Sequence, residues 1–445
     1  MNEIYITVYV LNKNYSQYIL QCIESLLIQT NKNFELIVID NCSDDNSQEI
    51  IKNNFPSLNL ICLEKSIRLT EVGNMVANIA KGSHFVRLDA DDWVTVDFVE
   101  KFYEKLKVNS SLSAIFPNYH EVNVDGHITK TVKRFDFDSE VSLFDLPAHG
   151  ACTLLSKKAF YEVGGYDGTL DRQDGYDLWL KIIKNHKVSN LEEALFFYRQ
   201  HDNNLTKSQK KLLEVRTNIL FKHAVKNGLN LDDYLFIIPI QKSDDFFGQL
   251  SSIKLDKTTI LNLLIKKIYD ISENANICIS SESAREYFDL DDKILFCQRT
   301  NNNQSLKESI CEVDDMITST QGKDYKYIVT LTIDYPLLDA HYILSAISYI
   351  NYFETDSVDS VCIEDSLLFQ HNGDSLKPAY NNTVTRFERD TLYKKSGGIN
   401  IIRISKLNEY DGISTKKSGH IIIDKLSALR ADNIEIINFI KEKSI

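Results

Sequence analysis

Apolar residues along the first ninety positions arrive in two rhythms. Ile4–Leu11 is a continuous β-branched run that stops at Asn12-Lys13-Asn14, as a strand buried on both faces does. In Tyr18–Leu27, Ile19, Cys22, Ile23, Leu26 and Leu27 fall at helical spacing. Phe34–Ile39 predicts a second strand ending at Asp40, and Asn41-Cys42-Ser43-Asp44-Asp45-Asn46-Ser47 joins turn chemistry to a helix start. Leu58–Leu63 predicts a third strand, Glu71–Ala80 a helix, and His84–Leu88 a fourth strand running into Asp89. This alternation predicts an α/β fold with a mainly parallel sheet and helices on both faces. In such sheets ligands sit beyond the carboxyl ends of the strands, where Asp40 and Asp89 both fall.

A polar helical pattern over 205–232 contains Asn227-Gly228-Leu229-Asn230, and the alternation then restarts. Strands are expected at Tyr234–Ile240, Ile277–Ser281, Tyr327–Thr332 and Ser357–Ile363, with helices at Ile260–Ile271 and Tyr342–Tyr352. Two α/β domains are therefore expected, over 1–230 and 231–445.

With 43% hydrophobic and 25% charged residues the composition is that of a soluble globular protein. A net charge of −13 argues against a nucleic-acid partner, which needs a basic surface to displace counterions. The lysines over 206–226 are the one basic run suited to a peripheral membrane contact, although a solvated helix face is the ordinary reading of such a run. Eight cysteines form no CxxC pair, so neither a zinc ribbon nor a redox motif is read; buried thiols of a reduced protein are expected. The N-terminus has no basic segment before an apolar block, and no run approaches 18 apolar residues. The expected location is the cytoplasm or the inner face of a membrane.

Candidate chemistry concentrates in Arg87-Leu88-Asp89-Ala90-Asp91-Asp92-Trp93. Three acids within four residues at a strand end repel one another, and a divalent cation relieves that repulsion. Hard oxygen ligands suit Mg²⁺ or Mn²⁺, held by one or two carboxylates together with substrate phosphates. An Asp-rich turn with no ligand at all is the competing reading.

The motif context favours the cation. Ile4–Leu11 with Asn12 and Tyr15, the helix end at Cys22–Thr30, Ile37–Asp45, Asn74 with Ala80-Lys81-Gly82, and Asp89-Ala90-Asp91-Asp92 resemble, in order, five motifs of the family 2 glycosyltransferases. Farther on, Val163–Asp167 resembles that family's GGFD turn, Gln173–Leu180 its EDxDLW helix, and Tyr198–Leu205 its YRxHxxN ending. The resemblance spans most of 3–205 and implies a GT-A, Rossmann-like domain. It implies nucleotide-sugar contacts from Val10, Asn12, Asp40, Asn41, Asn74, Asp89, Ala90 and Asp91, and metal binding by Asp91, Asp89 and His201 with Mn²⁺ or Mg²⁺ as cofactor. Asp174 or Asp177 is implied as the catalytic base, with Asp174 favoured. Two departures bear on base recognition: Asn41-Cys42 stands where the family often has Asp-Gly, and Gly73 where it has Arg.

Residues 234–440 resemble the cytidylyltransferases that activate acidic sugars, chiefly through Ile328–Asp339 and Ser396–Asn400, so a nucleotidyltransferase-like second domain is implied. The family's glycine-rich basic loop is replaced by Gln241–Phe247, which implies a degenerate domain suited to binding or to oligomer contacts. The expected function is inverting, metal-dependent transfer of a sugar from a nucleotide-sugar donor to a glycan or lipid-linked acceptor in capsule or lipopolysaccharide synthesis. The alternatives are an enzyme that also activates a sugar with CTP, and a non-catalytic nucleotide-sugar-binding scaffold.

Overall fold

The computed structural model describes residues 5–133, 150–170, 173–201, 209–241, 249–255, 257–299, 305–321, 324–364, 366, 368–371, 375–378 and 392–443. The chain divides into two compact units, Met1–Lys207 with Leu368–Asp390, and Ser208–Leu367 with Thr391–Ile445.

In the first unit β1 (Ile6–Asn12), β2 (Phe34–Asp40), β3 (Asn59–Cys62) and β4 (His84–Asp89) are parallel neighbours. They alternate with α1 (Ile19–Leu27), α2 (Ser47–Asn54) and α3 (Leu69–Ile79). After β5 (Trp93–Val94) and α4 (Phe98–Val108) come β6 (Ala114–Val122), β7 (Ile128–Val132), β8 (Leu154–Ser156), α5 (Lys157–Glu162), α6 (Asp174–Asn185) and β9 (Val188–Arg199). The sheet runs β3-β2-β1-β4-β8-β6-β9-β5, and β7 pairs with β6. The expectation of an α/β fold holds, but β8 runs antiparallel to both β4 and β6.

Alternate residues of the strands feed two cores. Ile6, Val8 and Val10 pack with Cys22, Ile23 and Leu26 of α1 and with Phe98 and Phe102 of α4. Tyr9, Ile37 and Phe85 pack on the other face with Val72 and Val76 of α3, Phe160 of α5 and Leu178 of α6. Burial on both faces explains why the strands read as unbroken apolar runs.

The second unit begins with α7 (Gln209–Lys226), β10 (Tyr234–Ile240), the short pair β11 (Lys254–Leu255) and β12 (Thr258–Thr259), α8 (Ile260–Ile271), β13 (Asn276–Ser281) and β14 (Leu295–Gln298). It continues with α9 (Leu306–Gln321), β15 (Tyr327–Leu331), α10 (Ala340–Phe353) and β16 (Ser357–Glu364). A hairpin of β17 (Phe369–His371) and β18 (Leu376–Pro378) falls within the first unit. β19 (Leu392–Arg403), β20 (Ser418–Ile422) and α11 (Ile434–Lys443) complete the second, whose sheet runs β14-β13-β10-β15-β19-β16-β20.

The sequence places the polar helix ahead of a boundary at 230, whereas α7 packs on α10 of the second unit. Thr217, Ile219, Leu220, His223 and Ala224 are its buried residues, and their mixed polarity hides the face from a hydrophobicity pattern. No helix among the described residues is long and apolar enough to cross a membrane.

Two positions around β4 carry measurable consequences. A Cβ on Gly82 would lie 2.5 Å from the His84 carbonyl oxygen and 2.6 Å from the Thr7 nitrogen, all backbone atoms that cannot give way. Gly82→Ala is expected to cost roughly 1–3 kcal/mol, read as a lower denaturation midpoint. Burial holds the His84 imidazole down at about 4, so the folded state binds its proton more weakly than the unfolded chain. Stability contributed by the neutral ring is therefore present above pH about 6.5 and is lost as pH falls towards 4. Denaturation of His84→Gln across that window should show a flatter pH dependence than the unsubstituted protein.

Candidate active site

The loop after β4 gathers the acids. Asp92 is buried, and its Oδ1 accepts the Arg199 main-chain N–H at 2.8 Å while Oδ2 has no hydrogen-bond partner among the described residues. Burial, with the charges of Asp91 and Asp89, pushes the Asp92 carboxyl well above its usual range. The Tyr15 phenol is also raised, by burial first and then by the same acids. Asp91 Oδ2 lies 2.8 Å from His201 Nε2. Asp89 turns to Arg87, whose Nε is 3.0 Å from its Oδ1.

Arg199, at the end of β9, binds this loop. Its Nε donates to the Asp91 carbonyl oxygen at 3.0 Å, Nη1 to the Val124 carbonyl at 2.6 Å and Nη2 to Gln21 Oε1 at 2.7 Å. The guanidinium also lies 4.4 Å from the ring centroid of Tyr18 and 4.7 Å from that of Trp93. Tyr15 and Tyr18 flank the His201 ring at 5.7 and 6.1 Å. Arg199, Arg87, Gln21 and Tyr18 were not singled out by the sequence reading. The strand ending Tyr198-Arg199 was the available signal, because an arginine closing an apolar strand needs buried acceptors.

Most expected nucleotide-binding residues face inward to the protein. The side chains of Val10 and Ala90 are fully buried in the apolar core, which leaves only their main chain to meet a ligand. Asp40 is fully buried; its carboxylate accepts from Asn12 Nδ2 at 2.7 Å, the Ser43 N–H at 3.0 Å and Gln48 Nε2 at 2.7 Å. Asn41 exchanges two hydrogen bonds with the main chain of Ile67, and Asn74 two with that of Tyr166. Asn12 keeps one buried oxygen, Oδ1, with no partner among the described residues.

Both departures from the family pattern have structural counterparts. Cys42 holds φ +58°, the left-handed conformation that glycine adopts at least cost. A Cβ on Gly73 would lie 2.5 Å from the Tyr166 ring, so Tyr166 fills the space an arginine would take.

Of the two candidate bases, Asp177 is buried and ion-paired with Lys181 Nζ at 2.6 Å, and Lys181 also bonds the Gly165 carbonyl at 2.9 Å. Asp174 is the first residue of α6, after Gln173 at φ +59°; its side chain lies outside the described residues, as do His149 and residues 202–208.

The donor set fits a divalent cation. Asp91 offers a hard oxygen and His201 a borderline imidazole nitrogen, and one Asp92 oxygen is buried without a hydrogen-bond partner among the described residues. Asp89 is not gathered with Asp91 and His201. Among the described residues, three such ligand atoms within 4.8 Å of one another occur at Glu214, Asp339 and His341 of the second unit. There Asp339 already pairs with Lys210 at 3.0 Å and caps α10.

Residues 7–164 match the family described as glycosyl transferase family 2. An uncharacterized glycosyltransferase of Methanocaldococcus jannaschii is 30% identical over 208 residues, covering 44% of this chain and 71% of that one. The chain belongs to glycosyl transferase family 2. A further relative is the UDP-Glc:alpha-D-GlcNAc-diphosphoundecaprenol beta-1,3-glucosyltransferase WfaP of Escherichia coli, 29% identical over 214 residues, with 46% of this chain and 80% of that one covered. Several chondroitin and hyaluronan synthase relatives are much longer, and the chain spans 21–29% of their length. Among solved structures, S. aureus TarS 1-349 in complex with UDP-GlcNAc aligns at a TM-score of 0.44 and 14% identity over 87% of this chain and 99% of that one, a likeness too slight to argue from. The protein is thus a glycosyltransferase, and its family 2 match lies wholly within the first unit.

A lysine at 199 would present one compact charge where three fixed acceptors now meet a planar fork. Arg199→Lys is expected to lose roughly 2–3 kcal/mol, since hydrogen bonds from charged groups are worth about 1.5–3 kcal/mol each. Thermal denaturation checks the loss, which should exceed that of Lys101→Arg, whose partly exposed ion pair joins α4 to Glu193 of β9.

Proposed function

We propose that the first unit transfers a sugar from a nucleotide-sugar donor to a hydroxyl of a glycan or lipid-linked acceptor, with inversion and with Mn²⁺ or Mg²⁺ as cofactor. The observation that carries this reading is the pairing of Asp91 with His201 at the carboxyl edge of a doubly wound sheet, in the loop that Arg199 holds. Asp91 and His201 would hold the cation, which when bound supplies positive charge against the diphosphate leaving group.

The chain's own residues do the rest. Arg199 fixes the Asp91 main chain, so the carboxylate needs little rearrangement to meet a ligand. Arg87 holds Asp89 at the rim. Asn12, anchored on Asp40, keeps a buried oxygen beside the first strand's end, and its proposed role is to hold the loop against which the nucleotide binds. Asp174 takes the proton from the acceptor hydroxyl as that oxygen attacks. Asp177 is unsuited to the task because its carboxylate is committed to Lys181.

A setting in surface-polysaccharide assembly is supported by the WfaP relative, whose name gives a diphosphoundecaprenol-linked acceptor. Activation of a sugar with CTP by the second unit is the weaker reading, since Asp334, the first acid after β15 in the Ile328–Asp339 segment, is ion-paired with Arg430 at 2.7 Å.

The test is a donor screen. Purified protein with Mn²⁺ and a panel of UDP-, GDP-, dTDP- and CMP-sugars should hydrolyse one donor slowly. Asp91→Ala should lower that rate by roughly 10²-fold or more. A folded protein that neither turns over nor binds any donor in the presence of metal would sink the proposal.

A further inference from the structure

The two units share one strand order. Numbering the principal strands of each sheet in chain order, β1, β2, β3, β4, β6, β8, β9 and β10, β13, β14, β15, β16, β19, β20 both give the arrangement 3-2-1-4-6-5-7. In each unit the sixth strand is antiparallel to both neighbours and the seventh is parallel to the fifth. Both first strands are seven residues long, and they open on the pairs Ile6 with His84 and Tyr234 with Tyr327. Counting on from those pairs, the fifth and seventh residues along the fourth strand and its loop are Asp89 and Asp91 in the first unit. In the second unit they are Thr332 and Asp334.

The match extends to the partners. Asp91 is met by His201, from the segment after the seventh strand, at 2.8 Å. Asp334 is met by Arg430, also from the segment after the seventh strand, at 2.7 Å, and the Ala431 N–H donates to the Asp334 carbonyl at 2.7 Å. The chemistry at this shared position differs. Thr332 replaces Asp89, Tyr335 follows Asp334 where Asp92 follows Asp91, and a permanent guanidinium replaces an imidazole. Three carboxylates have become one, and that one is already balanced. Arg430 is 53% exposed at the rim, and Asp334 Oδ1 is buried with no hydrogen-bond partner among the described residues.

We propose that the carboxyl edge of the second unit is a separate binding site for a nucleoside diphosphate or its sugar ester, one that needs no divalent cation because Arg430 supplies the positive charge from the chain. A sheet of this kind receives ligands at its carboxyl edge. Arginine stays charged at all relevant pH and its fork matches phosphate oxygens. Asp334 aims that fork, acting as a positioning residue. The choice of ligand class rests on the reading of the first unit, whereas the cation independence rests on Arg430 and Asp334 alone.

Equilibrium dialysis of the full chain with CDP, UDP, GDP and dTDP, in Mn²⁺ and in EDTA, separates the two sites. The expected result is one nucleotide bound in EDTA, displaced by inorganic pyrophosphate, and a second bound only with Mn²⁺. Asp91→Ala should remove the Mn²⁺-dependent component and leave the other. Arg430→Gln should weaken the EDTA-resistant component at least tenfold and leave the Mn²⁺-dependent one. Arg430→Lys, which keeps the charge, should retain part of the affinity, and it replaces Arg430→Gln if the latter melts early. If the Mn²⁺-dependent component is missing while the EDTA-resistant one depends on Arg430, the first unit's reading fails and this proposal stands. No nucleotide bound in EDTA, or EDTA-resistant binding indifferent to both Arg430 variants, overturns it.

Discussion

Three carboxylates within four residues repel one another, and the loop after β4 is held by the arginine that closes β9. Arg199 does this with its main chain as well as its side chain: the N–H binds Asp92, and the guanidinium binds the carbonyl of Asp91, that of Val124 and the amide oxygen of Gln21. These three contacts meet neutral oxygens, and the Asp91 carboxylate itself faces His201. A direct Arg–Asp91 pair would have satisfied the loop at the expense of the site. Burial first, and then the neighbouring acids, raise both the Tyr15 phenol and the Asp92 carboxyl.

The rest of the first unit serves that geometry. Two apolar cores fix the sheet from both faces, so the carboxyl ends of β1, β2 and β4 form a rigid edge. Hydrogen-bonded asparagines then tie the loops to one another: Asn12 to Asp40, Asn41 to Ile67, Asn74 to Tyr166. A site on such supports keeps its spacing without relying on loop stiffness. The second unit uses the same strand order with different charge chemistry at the rim, so a shared sheet does not fix the chemistry of its edge.

The sequence by itself determined the α/β class, the place of nearly every strand and helix now seen in 6–94, and the acidic loop at a strand end. It could do so because parallel strands buried on two faces read as unbroken apolar runs, and because Asp89, Asp91 and Asp92 are neighbours in the chain. The family likeness was legible for the same reason, its motifs being local.

Tertiary structure alone decided which residues meet. Arg199 lies more than a hundred residues from Asp91, and its place at the end of an apolar strand signals a need for acceptors without telling which ones. Asp40, Asn41 and Asn74 read as ligand contacts in one dimension, yet folding supplies them with partners from 26 to 92 residues away. Asp177 lies in the middle of an acidic helix start in one dimension, and only the fold shows its ion pair with Lys181. The placement of α7 in the second unit was hidden for a related reason: its buried face mixes Thr217 and His223 with aliphatic residues, and burial of polar groups depends on partners that sequence spacing does not show.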